Sequence, residues 1–285
     1  MPVAVINVRP NRQRSLNRIR IDNRNRETAL QCIGEKVLLY APRDETRHGY
    51  FATALLVDIV PDMTRRRFMF LTLEKVITFG MFYALEELAR PIESRGYRSD
   101  GSIAFSYFSP SIRALSSADR KAAQALVNET EVRVNSMTSP TRAEAPAALR
   151  PEPTAYRTRD AAVRNARLRW LVLHAYGTAC AVCGDDNSIH EIGAYEVEVC
   201  HLQALAYGGP DELTNAMPMC RTHHWFYDRG GFTMVNDGGI LVSKLAPVSL
   251  RQRLAVRSMA QFPIARQAWP RAEHLRFHRE HVFLG

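Results

Sequence analysis

Four of the five cysteines fall between Cys180 and Cys220, spread over CAVC (180–183), VC (199–200) and MCRTHH (219–224). An odd cysteine total, behind an N-terminus that carries Arg where an export signal would have an apolar stretch, argues against a disulfide framework. Clustering of this kind points to metal instead. Cys180, Cys183, Cys220 and His223 form a CxxC…CxxH set that suits a tetrahedral structural Zn²⁺. A small unit with little core of its own would rely on such an ion to hold its parts together.

Two segments beside these cysteines carry a second kind of chemistry. In EVEVCHL (196–202) side chains alternate, so Glu196, Glu198 and Cys200 face one side of a strand while Val197, Val199 and His201 face the other. THHWFYDRG (222–230) reads as a helix ending at Gly230-Gly231. His224 and Asp228, four apart, share one face of it and can converge on one ion. An imidazole and a carboxylate, completed by water and phosphate oxygens, suit Mg²⁺ or Mn²⁺. Adjacent His223 and His224 diverge on a helix, which assigns them to different ions.

The ordered set His201, Gly208, Gly209, Asp211, Asn215, His224 and Asp228 resembles the HNH endonuclease motif. That resemblance implies a ββα-metal fold and hydrolysis of phosphodiester bonds. His201 is then the general base, since a neutral imidazole can take a proton from water near pH 7. Asn215 would pin the loop that aims His201, and His224 with Asp228 would hold the catalytic ion. In many such sites a carboxylate or His precedes the base; here Cys200 does, which leaves two expected protein ligands. Glu198 is placed either to orient neighbouring groups or simply to face solvent.

The net charge of +9, with 34 Arg among 38 basic residues, favours a polyanionic partner, although Arg-for-Lys usage also follows genome base composition. Residues 1–29, with seven Arg before residue 27, read as a basic arm. Residues 30–134 are mostly β in pattern: KVLLY (36–40), YFATALLVDIV (50–60), RFMFLTLEKV (67–76) and IAFSYF (103–108), followed by a helix from Ser117 to about Asn128 capped by Ser116 or Ser117. Residues 135–158, rich in Pro, Ala, Ser and Thr, read as a linker, and 159–285 form the nuclease domain, opening on a helix over 160–176. The fold class is α+β: a small β-barrel-like domain followed by a ββα-metal domain.

The segments RHGYFATALLVDIVPD (47–62), an FGMF turn (79–82) and RALSSAD (113–119) resemble the EVE-like modules of the PUA superfamily that precede HNH domains in modification-dependent restriction endonucleases. This resemblance implies an aromatic cavity for a flipped base, with Tyr40, Tyr50, Phe51, Phe79, Phe82 and Tyr83 as candidates; taken singly each reads more readily as core, and the pocket is expected of the cluster as a whole. The implied substrate is double-stranded DNA carrying modified cytosine. A double-strand cut needs two active sites and so favours a homodimer on the substrate. Two alternatives stay open: an HNH nickase indifferent to modification, and a non-catalytic zinc-containing nucleic-acid-binding protein. No GxxxxGK[ST] loop for ATP is present, and no apolar run is long enough for a membrane span, so a cytoplasmic location is expected.

Overall fold

In the computed structural model, which describes every residue except 11–14, 44, 46, 89, 138–158 and 256, the chain divides into two units. One comprises Met1–Ile59 with Arg67–Val163; the other comprises Val60–Arg66 with Arg164–Gly285. Among the described residues no helix is long and apolar enough to cross a membrane.

The first unit is built on β1 (Ala4–Asn7), β2 (Arg18–Asp22), α1 (Arg26–Gln31), β3 (Lys36–Ala41), β4 (Gly49–Pro61), β5 (Phe68–Tyr83), β6 (Ile112–Ala114) and α2 (Ser117–Met137). The six strands form one sheet in the order β2-β5-β4-β3-β1-β6. β1 runs parallel to β3, with Ala4 opposite Val37, and antiparallel to β6. β2 and β6 are the edges, so the sheet is open where a closed barrel would pair them.

The basic arm expected over residues 1–29 is therefore corrected. Ala4, Val5 and Ile6 are fully buried, and Ile19 and Ile21 of β2 are buried as well. Arg density hid two short strands whose apolar residues alone decide their place. Three further expectations change. The FGMF segment lies inside β5, IAFSYF gives a 3-10 turn over Phe105–Phe108 in place of a strand, and α2 runs on from Asn128 to Met137. Ser116 caps α2 as expected, its hydroxyl accepting from the Asp119 N–H at 3.2 Å. Of the linker read at 135–158, residues 138–158 lie outside the described residues, while 135–137 are the end of α2.

The core of this unit encloses an ion pair. Arg113 donates Nε to Glu93 Oε2 at 2.7 Å and Nη2 to Glu93 Oε1 at 2.9 Å. The Tyr50 hydroxyl donates to the same carboxylate at 2.8 Å, and Arg113 Nη1 donates to Asn7 Oδ1 at 2.6 Å. Removing either charge would leave the other buried and unpaired, at a cost of about 3–5 kcal/mol.

The main stretch of the second unit opens within α3 (Arg159–Tyr176), whose Leu168 and Val172 pack on Ala216 beside Val199 and Leu213. There follow β7 (Glu198–His201), β8 (Ala216–Met219), α4 (Arg221–Tyr227), β9 (Phe232–Met234), β10 (Ile240–Val242), α5 (Val248–Ala255) and α6 (Ala272–His281). β7 and β8 pair antiparallel with His201 opposite Ala216, and α4 starts two residues after β8 ends. Chain reversal after α4 requires Gly230: its φ is +69°, and a Cβ there would sit 2.1 Å from the Val282 carbonyl oxygen.

α6 is fastened to α4 by a buried histidine. The His278 ring stacks on Tyr227 with centroids 3.6 Å apart. Its Nε2 lies 2.9 Å from the Tyr227 carbonyl and its Nδ1 2.9 Å from the Thr233 hydroxyl, so the neutral ring has one group to donate to and one to accept from. Burial pulls its pKa from 6.5 down to about 4. As pH falls the unfolded chain takes up the proton first. The contribution of neutral His278 is whole above about pH 6.5 and is lost as pH drops through 4, about 3 kcal/mol in total. Between pH 7 and pH 5 the wild type should lose about 2 kcal/mol more than His278→Gln in urea unfolding. Identical pH dependence in the two proteins would contradict this reading.

Candidate active site and metal centres

The β7–β8 hairpin and α4 bring the chemistry-bearing residues into two clusters. In the first, Cys180, Cys183, Cys220 and His223 each offer a ligand atom, all within 4.8 Å of one another. His223 Nδ1 stands 3.0 Å from Cys220 Sγ and 3.8 Å from Cys180 Sγ. Hydrogen bonds from Cys183 and Cys220 hold the Cys180 thiol far below its ordinary range. Burial works to lower the His223 pKa, yet the sulphurs of Cys180 and Cys220 raise it to about 9. The same contacts push the Cys183 thiol up, so the pair shares a proton; three sulphurs with one imidazole are the donors a structural Zn²⁺ takes. Such an ion would tie the CAVC turn to the start of α4.

In the second cluster, Cys200 of β7 joins His224 of α4 and Asp228 at that helix's C-cap, again with ligand atoms within 4.8 Å. The adjacent histidines do diverge, one to each cluster. Glu198 Oε2 lies 2.9 Å from His224 Nδ1, and Asp228 Oδ2 lies 3.5 Å from His224 Nε2. Carboxylates thus stand at both ring nitrogens; a ring donating Nδ1–H to the nearer one, Glu198, would leave the Nε2 lone pair for an ion that Asp228 also reaches. Glu198 and Cys200 share a strand face, as alternation requires, and meet the same histidine. Burial, reinforced by the charge of Asp228, pushes the Cys200 thiol well above its ordinary value, so without a cation it is neutral. Two protein donors were expected here, and the structure places a third beside them.

His201, next along β7, turns to the other face. Its side chain is one-fifth exposed, and its Nε2 lies 2.8 Å from Asp211 Oδ1. Asn215 is completely buried. Its Oδ1 accepts from the Gln203 N–H at 2.9 Å, and its Nδ2 donates to the carbonyls of Gln203 at 2.9 Å and Pro210 at 2.8 Å. The loop between the strands is thereby clasped to the residues that follow His201. Gly209 permits the clasp, since a Cβ there would stand 2.0 Å from the Gln203 carbonyl oxygen and 2.9 Å from Asn215 Nδ2.

The six aromatic candidates of the first unit do not wall one cavity. Tyr40, Tyr50 and Phe79 are buried in its main cluster with Phe108, and Tyr83 packs against it from a partly exposed position. Phe51 and the partly exposed Phe82 stack separately, centroids 5.1 Å apart. An open cleft of about 460 Å³ lies between residues 88–92 and α2, lined by Leu88, Arg90, Ile92, Lys121 and Leu126 among others and by none of the six. Aromatic side chains serve a core and a stacking pocket alike, so composition alone could not separate the two.

Protein purified without added metal should carry about one zinc per chain by elemental analysis, and Cys183→Ser should lose it and melt at a lower temperature. A folded wild-type protein free of zinc would rule out the structural ion.

No curated protein matches the sequence. Among solved structures, one titled a modification dependent TagI restriction endonuclease aligns over 98% of this chain and 81% of its own at 12% identity, with a TM-score of 0.34. Another, titled a Type IV phosphorothioation-dependent restriction endonuclease, ScoMcrA, aligns over 97% of this chain and 56% of its own at 16% identity, with a TM-score of 0.23. Neither score reaches the level of a shared fold. Residues 180–235, which hold both donor clusters, His201 and the Asn215 clasp, match the HNH endonuclease family.

Proposed function

We propose that the protein is a metal-dependent endonuclease that hydrolyses phosphodiester bonds of double-stranded DNA, directed to DNA containing modified cytosine. The observation that carries the nuclease reading is the pairing, inside the HNH-matching region, of a Cys200–His224–Asp228 donor cluster with His201 on the neighbouring strand position. His224 and Asp228 would hold the catalytic ion, with the Cys200 sulphur beside them. A nitrogen and a sulphur among the donors favour Mn²⁺ over Mg²⁺, which prefers an all-oxygen shell. When bound, such an ion polarises the scissile phosphate and stabilises the departing 3′-oxygen.

The chain's own residues supply the rest. His201 takes the proton of the attacking water, and Asn215 keeps the loop in the position that aims it. Glu198 keeps His224 in the tautomer whose Nε2 can ligate. The Cys180, Cys183, Cys220 and His223 cluster keeps α4 in place as a structural centre.

Specificity for modified cytosine is supported by the resemblance of residues 47–62, 79–82 and 113–119 to base-reading modules. Within the aromatic set, Phe82 and Tyr83 retain exposed surface that a flipped base could stack on. Supercoiled plasmids bearing unmodified, methylated, hydroxymethylated or glucosylated cytosine should be compared with Mn²⁺, Mg²⁺ or EDTA present. One modified plasmid should be cut about 10-fold or more faster than the unmodified one, since contacts to one base are worth ~1–3 kcal/mol. EDTA should stop all cutting. Equal rates on all plasmids would overturn the modification reading, and no cutting with any ion would overturn the nuclease reading.

A further inference from the structure

The geometry around His201 points to a positioning residue for the base. We propose that Asp211 fixes the tautomer of His201 and is itself ion-paired to Arg164, forming an Arg164–Asp211–His201 line of contacts. The inference rests on the nuclease reading of His201. Asp211 Oδ1 lies 2.8 Å from His201 Nε2, and Asp211 Oδ2 lies 2.6 Å from Arg164 Nε. The carboxylate is nearly buried, with 11% of its side chain exposed, and each of its oxygens faces a different partner.

The chemistry follows from what each atom can do. A carboxylate only accepts, so the proton shared with His201 belongs to Nε2 and the lone pair belongs to Nδ1. His201 therefore presents an acceptor away from Asp211, which a base that must take a proton from water requires. When that proton arrives, the ring becomes a cation beside a fixed negative charge, and the charged state is stabilised where it forms. Arg164, whose side chain is 57% exposed, adds an ion pair at Oδ2 without hydrogen-bond geometry, so it supplies countercharge to the carboxylate and only partly opposes its rotation. Arg164 lies on α3, far from the hairpin in sequence, while the Asn215 clasp brings Asp211 in from the loop. Two separate elements thus converge on one imidazole.

The test uses the full-length, zinc-containing protein and two independent readouts. In the first, ¹⁵N–¹H correlation spectra of the His201 ring, assigned with His201→Gln and recorded without paramagnetic metal at neutral pH, report where the proton sits. The wild type should show the Nε2–H tautomer, and Asp211→Ala should show a mixture of tautomers. A wild-type ring protonated on both nitrogens, or protonated on Nδ1 alone, would overturn the proposal.

In the second readout, plasmid cleavage with Mn²⁺ should fall in kcat in Asp211→Asn by up to about 10⁴, the loss seen when a histidine base is left with an amide in place of its carboxylate partner. KM for DNA and zinc content should stay unchanged. Asp211→Glu should recover part of the rate, and Arg164→Ala should lose less than Asp211→Asn. The near-isosteric Asn variant keeps the test valid should Asp211→Ala fold poorly. Asp211→Asn cutting at the wild-type rate with an unchanged His201 tautomer would overturn the proposal. A wild type that cuts no DNA, with the Nε2–H tautomer still dependent on Asp211, would instead fault the nuclease reading and leave the positioning contact standing.

Discussion

The Asn215 side chain has no exposed surface and makes three hydrogen bonds to the backbone of its own loop, and the candidate active site is arranged around them. Losing them would strand buried backbone groups at roughly 1–3 kcal/mol each. The clasp joins the residue two past His201 to the residue before Asp211. The loop can therefore deliver a carboxylate to the base only when it is closed. Gly209 makes the close approach possible, and the β7–β8 pairing fixes His201 opposite Ala216. Because α4 begins two residues beyond β8, the hairpin register also decides where His223 and His224 enter the structure.

From that point a single helical step separates two chemistries. Successive residues on a helix point about 100° apart, so adjacent histidines cannot serve one ion. His223 turns to three cysteine sulphurs in a closed, mostly buried cluster, while His224 turns to a carboxylate and a thiol at a more open position. Each imidazole nitrogen that faces away from a proposed reactive role has a carboxylate partner: Glu198 for His224 Nδ1 and Asp211 for His201 Nε2.

Much of this was legible in the sequence because its signals are local. CxxC and CxxH spacing named the first cluster, the i to i+4 relation paired His224 with Asp228, and strand alternation put Glu198 and Cys200 on one face, where both now meet His224. β3, β4 and α3 likewise followed from runs of apolar residues. What was not legible depends on pairing across the chain. β1 is four residues in a stretch read as an Arg-rich arm, and its pairing with β3 on one side and β6 on the other makes it a core strand. Tyr40 and Tyr50, each more readily core than pocket in the sequence, lie in the main core cluster, where Tyr50 donates to the buried Glu93 carboxylate that pairs with Arg113. Asp211 stood in the matched motif without a partner, and nothing near Arg164 in the sequence announced that it would be that carboxylate's second contact.

The central claim is that His201 is the base of a hydrolytic site, and a comparison of His201→Ala with wild type on the plasmid the wild type cuts fastest tests it most directly. Cleavage rate, zinc content and DNA affinity should be measured on the same preparations. The account predicts a rate lower by at least ~10² with the other two unchanged, since a positioned general base contributes about 10²–10⁴. A His201→Ala protein that cuts at the wild-type rate would contradict it.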